Sequence, residues 1–219
     1  MKEVKEKKVF ARGYCFIKIF LFFVIGCILG AYYEEIGFII RHGYWAPRRA
    51  LLYGPFSPVY GIAFMLVAIV FGKKTDMKWT KAYIYCFFLG GLLEYLLSWI
   101  QQLIFHSRSW NYDGYFLNIG GRTTVIFMFA WGLMGMIFIK ILYPLISNLI
   151  EKIPYKIGNI CFIILLIFMI FDISVSLAAT LRQTNRRKGN PPITFIGKLC
   201  DEIYPDEVLK KVYNNAVYE

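Results

Sequence analysis

The sequence predicts an all-α, polytopic membrane helix bundle, and three observations lead there. Hydrophobic residues fill 58% of the 219 positions and aromatic residues 19%, giving a mean hydropathy of +0.52, far more apolar than a soluble domain. Five separate apolar runs approach or exceed the roughly 20 residues needed to cross a hydrocarbon core. The basic residues behind the net charge of +11 gather at the ends of those runs, where lysine and arginine anchor to head groups. Membrane contact therefore accounts for the charge without nucleic acid, and the runs are too many for a signal peptide ahead of a soluble domain. The expected location is the cell membrane, as a multi-pass protein.

The first span is expected at about Tyr14 to Ile40, after a basic tail with Lys2, Lys5, Lys7, Lys8 and Arg12. The second, about Ala50 to Phe71, contains Tyr53-Gly54-Pro55-Phe56-Ser57-Pro58 and Tyr60-Gly61. Proline lacks the amide donor and clashes with the preceding turn, so this span must start broken or re-entrant, with its freed backbone buried in protein or facing a wet cavity. The third is expected at Ala82 to Phe105, the fourth at Thr123 to Ile146 and the fifth at Ile157 to Leu181, so that residues 1–181 form the transmembrane bundle. Residues 182–219 read as an amphipathic C-terminal tail. It begins with a basic hinge (Arg182, Arg186, Arg187, Lys188, Pro191, Pro192) and continues as two short helices meeting at Tyr204-Pro205-Asp206-Glu207. Asp206 is placed to cap the second, whose Val208, Leu209, Val212 and Tyr213 form an apolar stripe. The basic N-terminal tail and the loop carrying Lys73, Lys74, Lys78 and Lys81 favour an internal N terminus, against the odd span count, which puts the Arg182 to Lys188 cluster outside.

Two spans share a pattern: Gly26, Gly30 and Glu34 in the first, Gly90, Glu94 and Ser98 in the third. Four-residue steps stack each trio on one helical face, and an acid within an apolar span marks a functional-site hypothesis by default. Glu94, Ser98, Gln101 and Gln102 extend that stripe toward Trp99 and His106, so it must face protein or water; a packing network and a substrate, ion or proton role both remain open. Glu34 and Glu35 lie near the end of their run, where solvation at the interface is the competing reading. Both acid-bearing spans lead into an aromatic loop with arginine and then a span with aromatic-Gly, Tyr60-Gly61 or Trp131-Gly132. Two parallel repeats would give this order, although the intervals from Glu34 to Arg49 and from Glu94 to Arg122 differ and chance would serve as well.

Arg49 and Arg122 stand on the same side as the acids, and an Arg–Glu pair is the natural way to hold a carboxylate near lipid; binding of an anionic head group or substrate is the alternative. His42 and His106 follow the acid-bearing spans but belong to no HxxxH or HExxH pattern, so no metal is expected. Trp110, Asn111, Tyr112, Asp113, Phe116 and Asn118 make a loop that is either an interfacial belt or a plug over a cavity. Asp172, Ser176 and Thr180 form a third polar ladder. Cys15, Cys27, Cys86, Cys161 and Cys200 lack ligand spacing and read as apolar fillers. The chain has no phosphate loop, GxSxG elbow or dinucleotide fingerprint, so it has no ATPase of its own, no hydrolase signature and no expected cofactor.

The ordered strings Gly30 to Glu34/Glu35, Arg49-Ala-Leu-Leu-Tyr-Gly-Pro-Phe-Ser-Pro-Val-Tyr-Gly61, Leu93-Glu94-Tyr95, Trp110-Asn-Tyr112, Phe116-x-Asn118 with Gly121-Arg122, Trp131-Gly132, Asp172 and Tyr204-Pro205-Asp206-Glu207 resemble the putative ABC-transporter type IV family of bacterial membrane proteins, over nearly the whole chain. Leu-Tyr-Gly-Pro-Phe-x-Pro-x-Tyr-Gly is the specific string. The chain departs from the family pattern with Asn111 where Asp is usual, Ile119-Gly120-Gly121 where Asn-Gly is usual, and Gln101 and Gln102 where a further acid often stands. The resemblance implies a permease-like component of unknown substrate, whose partners are the bilayer, a separate ATP-binding subunit and further copies of itself. Its expected site comprises Glu94, Arg122, Asn118, Trp131, Tyr53, Tyr60, Ser98, Glu34, Glu35, Arg49, Tyr112 and Asp172. The alternatives are a membrane-embedded enzyme or lipid-binding protein using Glu94 with His106, and a structural or sensory partner with every polar group paired.

Overall fold

The computed structural model describes residues 8–214 and 217–218; Lys2, Lys5 and Lys7 of the basic tail lie outside the described residues. Helix α1 spans Phe16–His42, α2 Pro58–Phe71, α3 Trp79–Phe105, α4 Val125–Glu151 and α5 Tyr155–Arg187, and the tail carries α6 (Phe195–Ile203) and α7 (Asp206–Val212). Four of these, α1, α3, α4 and α5, are long and apolar enough to cross a membrane. The nearly all-helical bundle matches the expected class.

The second crossing shows what two prolines and two glycines do. Residues 43–57 run without regular helix back into the bundle, and the Ser57 amide bonds the Cys27 carbonyl at 3.0 Å. Helix α2 therefore starts halfway along α1. Pro58 occupies its first turn, where the missing donor costs nothing and the fixed φ suits the helix. Its 14 residues span about 21 Å at 1.5 Å per residue, short of a full crossing, and the irregular segment supplies the rest. That segment is held by protein: Leu51, Leu52, Phe56 and Ser57 are buried, as backbone at membrane depth requires.

Helix α4 contains one wide π turn at Phe138–Leu142, in which the Tyr143 amide bonds the Phe138 carbonyl. Pro144 explains it, since a proline cannot donate to the fourth residue back and its ring pushes that carbonyl aside. Lys140 uses the widened turn to donate to the Thr75 and Met77 carbonyls at 2.7 and 2.6 Å. Lys18, nearly buried in α1, pairs with Glu151 and donates to Ser147 at 2.7 Å, tying α1 to the end of α4. On α5 the residues Ile157, Ile160, Ile163, Ile164 and Ile167 are exposed, an apolar face turned toward lipid.

The tail differs from expectation in two places. Arg182, Arg186 and Arg187 are not a hinge but continue α5, and the chain turns at Gly189, φ +75°. Asp206 does not cap α7; it is the helix's first residue and accepts from Arg186 at 2.7 Å, beneath Pro205 at the cap position. A carboxylate that two nitrogens of one arginine reach is better satisfied by them than by its own backbone. Leu209 and Val212 are buried against Leu52 and Ala179, which seats the tail on the face where residues 43–57 dip into the bundle.

The strongest packing is α1 on α2 and α3 on α4, and the two pairs repeat one another. A side chain at Gly30 would collide with Tyr60, and one at Gly90 with Trp131. Gly61 packs on Phe23 and Cys27, Gly132 on Tyr83 and Phe87; Gly26 meets Phe64 where Cys86 meets Gly135. Every equivalence shifts the first helix by sixty positions and the second by seventy-one. Both pairs run in the same direction, which is the parallel repeat that the sequence suggested.

Candidate functional site

The repeat brings Tyr60 and Trp131 together across the interface between the pairs, ring centres 5.7 Å apart. Each aromatic also lies near the acid of its own pair, Tyr60 near Glu34 and Trp131 near Glu94. Glu94 is 5% exposed. It accepts from the Tyr112 hydroxyl at 2.9 Å and the Thr123 hydroxyl at 2.6 Å, so each of its two oxygens receives a hydroxyl from the loop between α3 and α4. Tyr112 also feels the charge of Glu34. Burial, then the Glu94 carboxylate, pushes its phenol well above the ordinary tyrosine range, which keeps it a donor. Glu34, Tyr60, Tyr112, Glu94, Thr123 and Trp131 thus gather where the two repeats meet.

Local sequence explains how the loop delivers Tyr112 and Thr123. Asn118–Ile119 pairs antiparallel with Thr123–Thr124, with the turn between them at Gly120 and Gly121, both at positive φ, a conformation that suits glycine. Asn118 spends its side chain on that turn, donating to the Tyr115 carbonyl at 2.9 Å and accepting from the Gly121 amide at 3.0 Å. Thr124 caps α4 by accepting from the Phe127 amide at 3.1 Å. Tyr112 stacks on Phe127 at 4.7 Å, and its amide bonds the Gly121 carbonyl at 2.8 Å. The loop is a folded lid over Glu94, one of the two readings open from its composition.

Arg122 does not pair with Glu94 among the described residues. It donates to Ser98 at 3.3 Å and to Gln102, with its guanidinium 5.8 Å from the Tyr95 ring centre. The turn at Gly120-Gly121 aims Thr123 at the acid and directs Arg122 one turn further along α3, so neutral hydroxyls satisfy a carboxylate expected to need a cation. Glu35, also buried, accepts from the Trp45 indole and the Arg48 amide, both at 3.3 Å, and so fastens the chain as it turns back toward the bundle.

Asp172, 0% exposed, belongs to a separate cluster. It accepts from the Tyr53 amide at 3.1 Å and from Ser176 at 3.2 Å, while Ser176 accepts from the Leu52 amide at 2.9 Å. The Tyr53 and Tyr204 hydroxyls meet at 2.6 Å. Arg49 interacts electrostatically with Asp172 and Tyr213. The third polar ladder therefore clamps the broken segment and the tail together and stands apart from Glu94.

Sequence reasoning did not single out Thr123. Its signal was its place after Gly120-Gly121-Arg122, at the start of a span with no other serine or threonine beside Thr124. Glu94 and His106, joined in the enzyme alternative, lie twelve residues apart, His106 just past the end of α3, about 18 Å along the axis at 1.5 Å per residue, too far to serve one reacting atom.

Below the aromatic pair an apolar cleft of ≈ 50 Å³ runs between α2, α3 and α4, walled by Phe64, Val67, Leu93 and Phe138. A polar cluster at the end of a broken helix, an aromatic pair and an apolar cleft thus lie in line between two parallel repeats of a helical membrane protein. The model of the family described as "Putative ABC-transporter type IV" matches residues 21–177, and the chain belongs to that family. The match covers both repeats and ends within α5, so the tail lies beyond it. No curated protein and no solved structure matches the chain.

Proposed function

We propose that this chain is the membrane permease component of a transporter in the cell membrane, working with a separate ATP-binding subunit, and that Glu94, Glu34, Tyr60, Trp131 and Tyr112 line its substrate pathway. One observation carries the reading: the break at residues 51–57 starts α2 at mid-bundle, beside two acids and two facing aromatics supplied by parallel repeats. Discontinuous helices at a repeat interface are where transporters place their sites, and polar groups buried in a membrane bundle favour a pathway over mere packing. Rocking of one repeat against the other would part Tyr60 from Trp131 and open the cleft below them. Ser98 and Arg122 border the pathway on the loop side, Asn118 shapes its lid, and Glu35, Arg49, Tyr53 and Asp172 hold the broken segment that one repeat needs.

The test is isolation of the tagged chain from its native membrane in mild detergent. An ATP-binding subunit should come with it, and ATP hydrolysis by the complex should fall in Glu94→Gln at unchanged yield and melting temperature. Recovery of the chain alone, or hydrolysis indifferent to Glu94→Gln, would count against the proposal.

A further inference from the structure

A second pocket, ≈ 350 Å³, opens at the tail-side end of α3 and is lined by Trp99, Gln102, Leu103, His106 and Arg122. Its wall is divided by chemistry. Trp99 and Leu103, 48% and 65% exposed, face outward on the lipid side of the helix. Arg122 stands opposite, held by Ser98 and Gln102 through two of its nitrogens. A guanidinium has five N–H donors, so a fixed one with two of its nitrogens engaged on protein still has donors to offer. His106 adds a ring nitrogen, and the Lys188 ammonium lies 2.9 Å from its Nε2, which brings a second cation to the same rim from the end of α5. Among the described residues no aspartate or glutamate lines the pocket.

We infer that this pocket binds the phosphate of an anionic membrane lipid, with Arg122 and Lys188 on the head group and the acyl chains along Trp99 and Leu103. The planar fork of arginine fits phosphate oxygens in pairs, basic pockets between spans at head-group level suit anionic lipids, and a tryptophan beside them is placed as interfacial tryptophans are. A soluble phosphate would use the same cations but would gain nothing from the outward apolar wall, and that contrast favours the lipid. The inference does not depend on transport; either can fail without the other.

The experiment uses the full chain in detergent, titrated with short-chain phosphatidylglycerol, phosphatidylcholine or inorganic phosphate, with binding followed by native mass spectrometry and by melting temperature. Phosphatidylglycerol should bind roughly tenfold or more tighter than phosphatidylcholine, as expected when a charge-assisted contact is gained. Arg122→Gln should erase that preference, and Lys188→Gln, at an exposed residue whose loss leaves the packing intact, should weaken it. Trp99→Ala should lower affinity for both lipids. Equal binding of the two lipids would overturn the inference, as would a preference untouched by both cation variants. Inorganic phosphate displacing phosphatidylglycerol at millimolar concentration would overturn it as well, by assigning the pocket to a soluble anion.

Discussion

Thr123→Val in combination with Glu94→Gln tests whether a carboxylate at this depth is held by neutral hydroxyls. Thr123 donates to Glu94 Oε2 at 2.6 Å and Tyr112 donates to Oε1 at 2.9 Å, around a side chain that is 5% exposed. A hydrogen bond to a charged group contributes about 1.5–3 kcal/mol, and a buried acceptor stripped of its donor costs a similar amount. Valine keeps the shape of threonine and suits a β-paired position, so Thr123→Val should destabilise by about 2 kcal/mol, nearly all of it through the lost bond. When Glu94→Gln is already present the acceptor is a neutral amide and the same change should cost about 1 kcal/mol or less. The expected coupling is therefore on the order of 1 kcal/mol. Equilibrium unfolding of the four proteins in one detergent measures it, with far-UV dichroism reporting on helix content. Effects that add to within about 0.3–0.5 kcal/mol would show the two side chains to be uncoupled and would remove Thr123 from the site.

Gly90→Ala places a methyl group against Trp131 and should destabilise by about 1–3 kcal/mol through overpacking; Trp131→Ala in the same chain should recover part of it, and Gly30→Ala with Tyr60→Ala should behave alike, as a true repeat demands. A cost at Gly90 that Trp131→Ala leaves unchanged would contradict the packing described. Asp201 accepts from Arg182 at 2.8 Å and from Arg186 at 2.6 Å, and the Arg182 bond above all holds its carboxyl below the usual aspartate range. A depressed folded-state value stabilises above the unfolded aspartate pKa of about 3.9 and loses that contribution as the pH falls through the folded value. The tail should therefore stay docked at neutral pH and loosen only in strong acid, whereas Asp201→Asn should loosen it at pH 7; hydrogen exchange over residues 195–212 reads both, and equal protection of wild type and variant at pH 7 would refute the role.

Class, order of spans and the broken second crossing were legible because each depends on local chemistry: apolar length, proline without a donor, and the cost of backbone in lipid. Glu94 was legible for the same reason, since an acid on an apolar helix stands out wherever the helix goes. Its partner was not. Sequence offers Arg122 and Thr123 side by side, and the turn through Gly120 and Gly121 alone decides which of them meets the acid. The repeat lay between these cases: the spacing of Glu34 and Glu94 is visible in the chain, but the unequal loops that follow, one dipping into the bundle and one folded as a lid, hide the match of α2 with α4.

By itself, then, the sequence determined that this is a polytopic helical membrane protein with acids in three spans and a discontinuity in the second, because hydrophobicity and backbone donors are counted residue by residue. Only the tertiary structure decided that Tyr60 and Trp131 face each other, that Arg122 belongs to a rim pocket, and that Asp172 clamps the tail. Those are contacts between segments far apart in the chain, set by how glycine-lined helices approach and by where two loops turn.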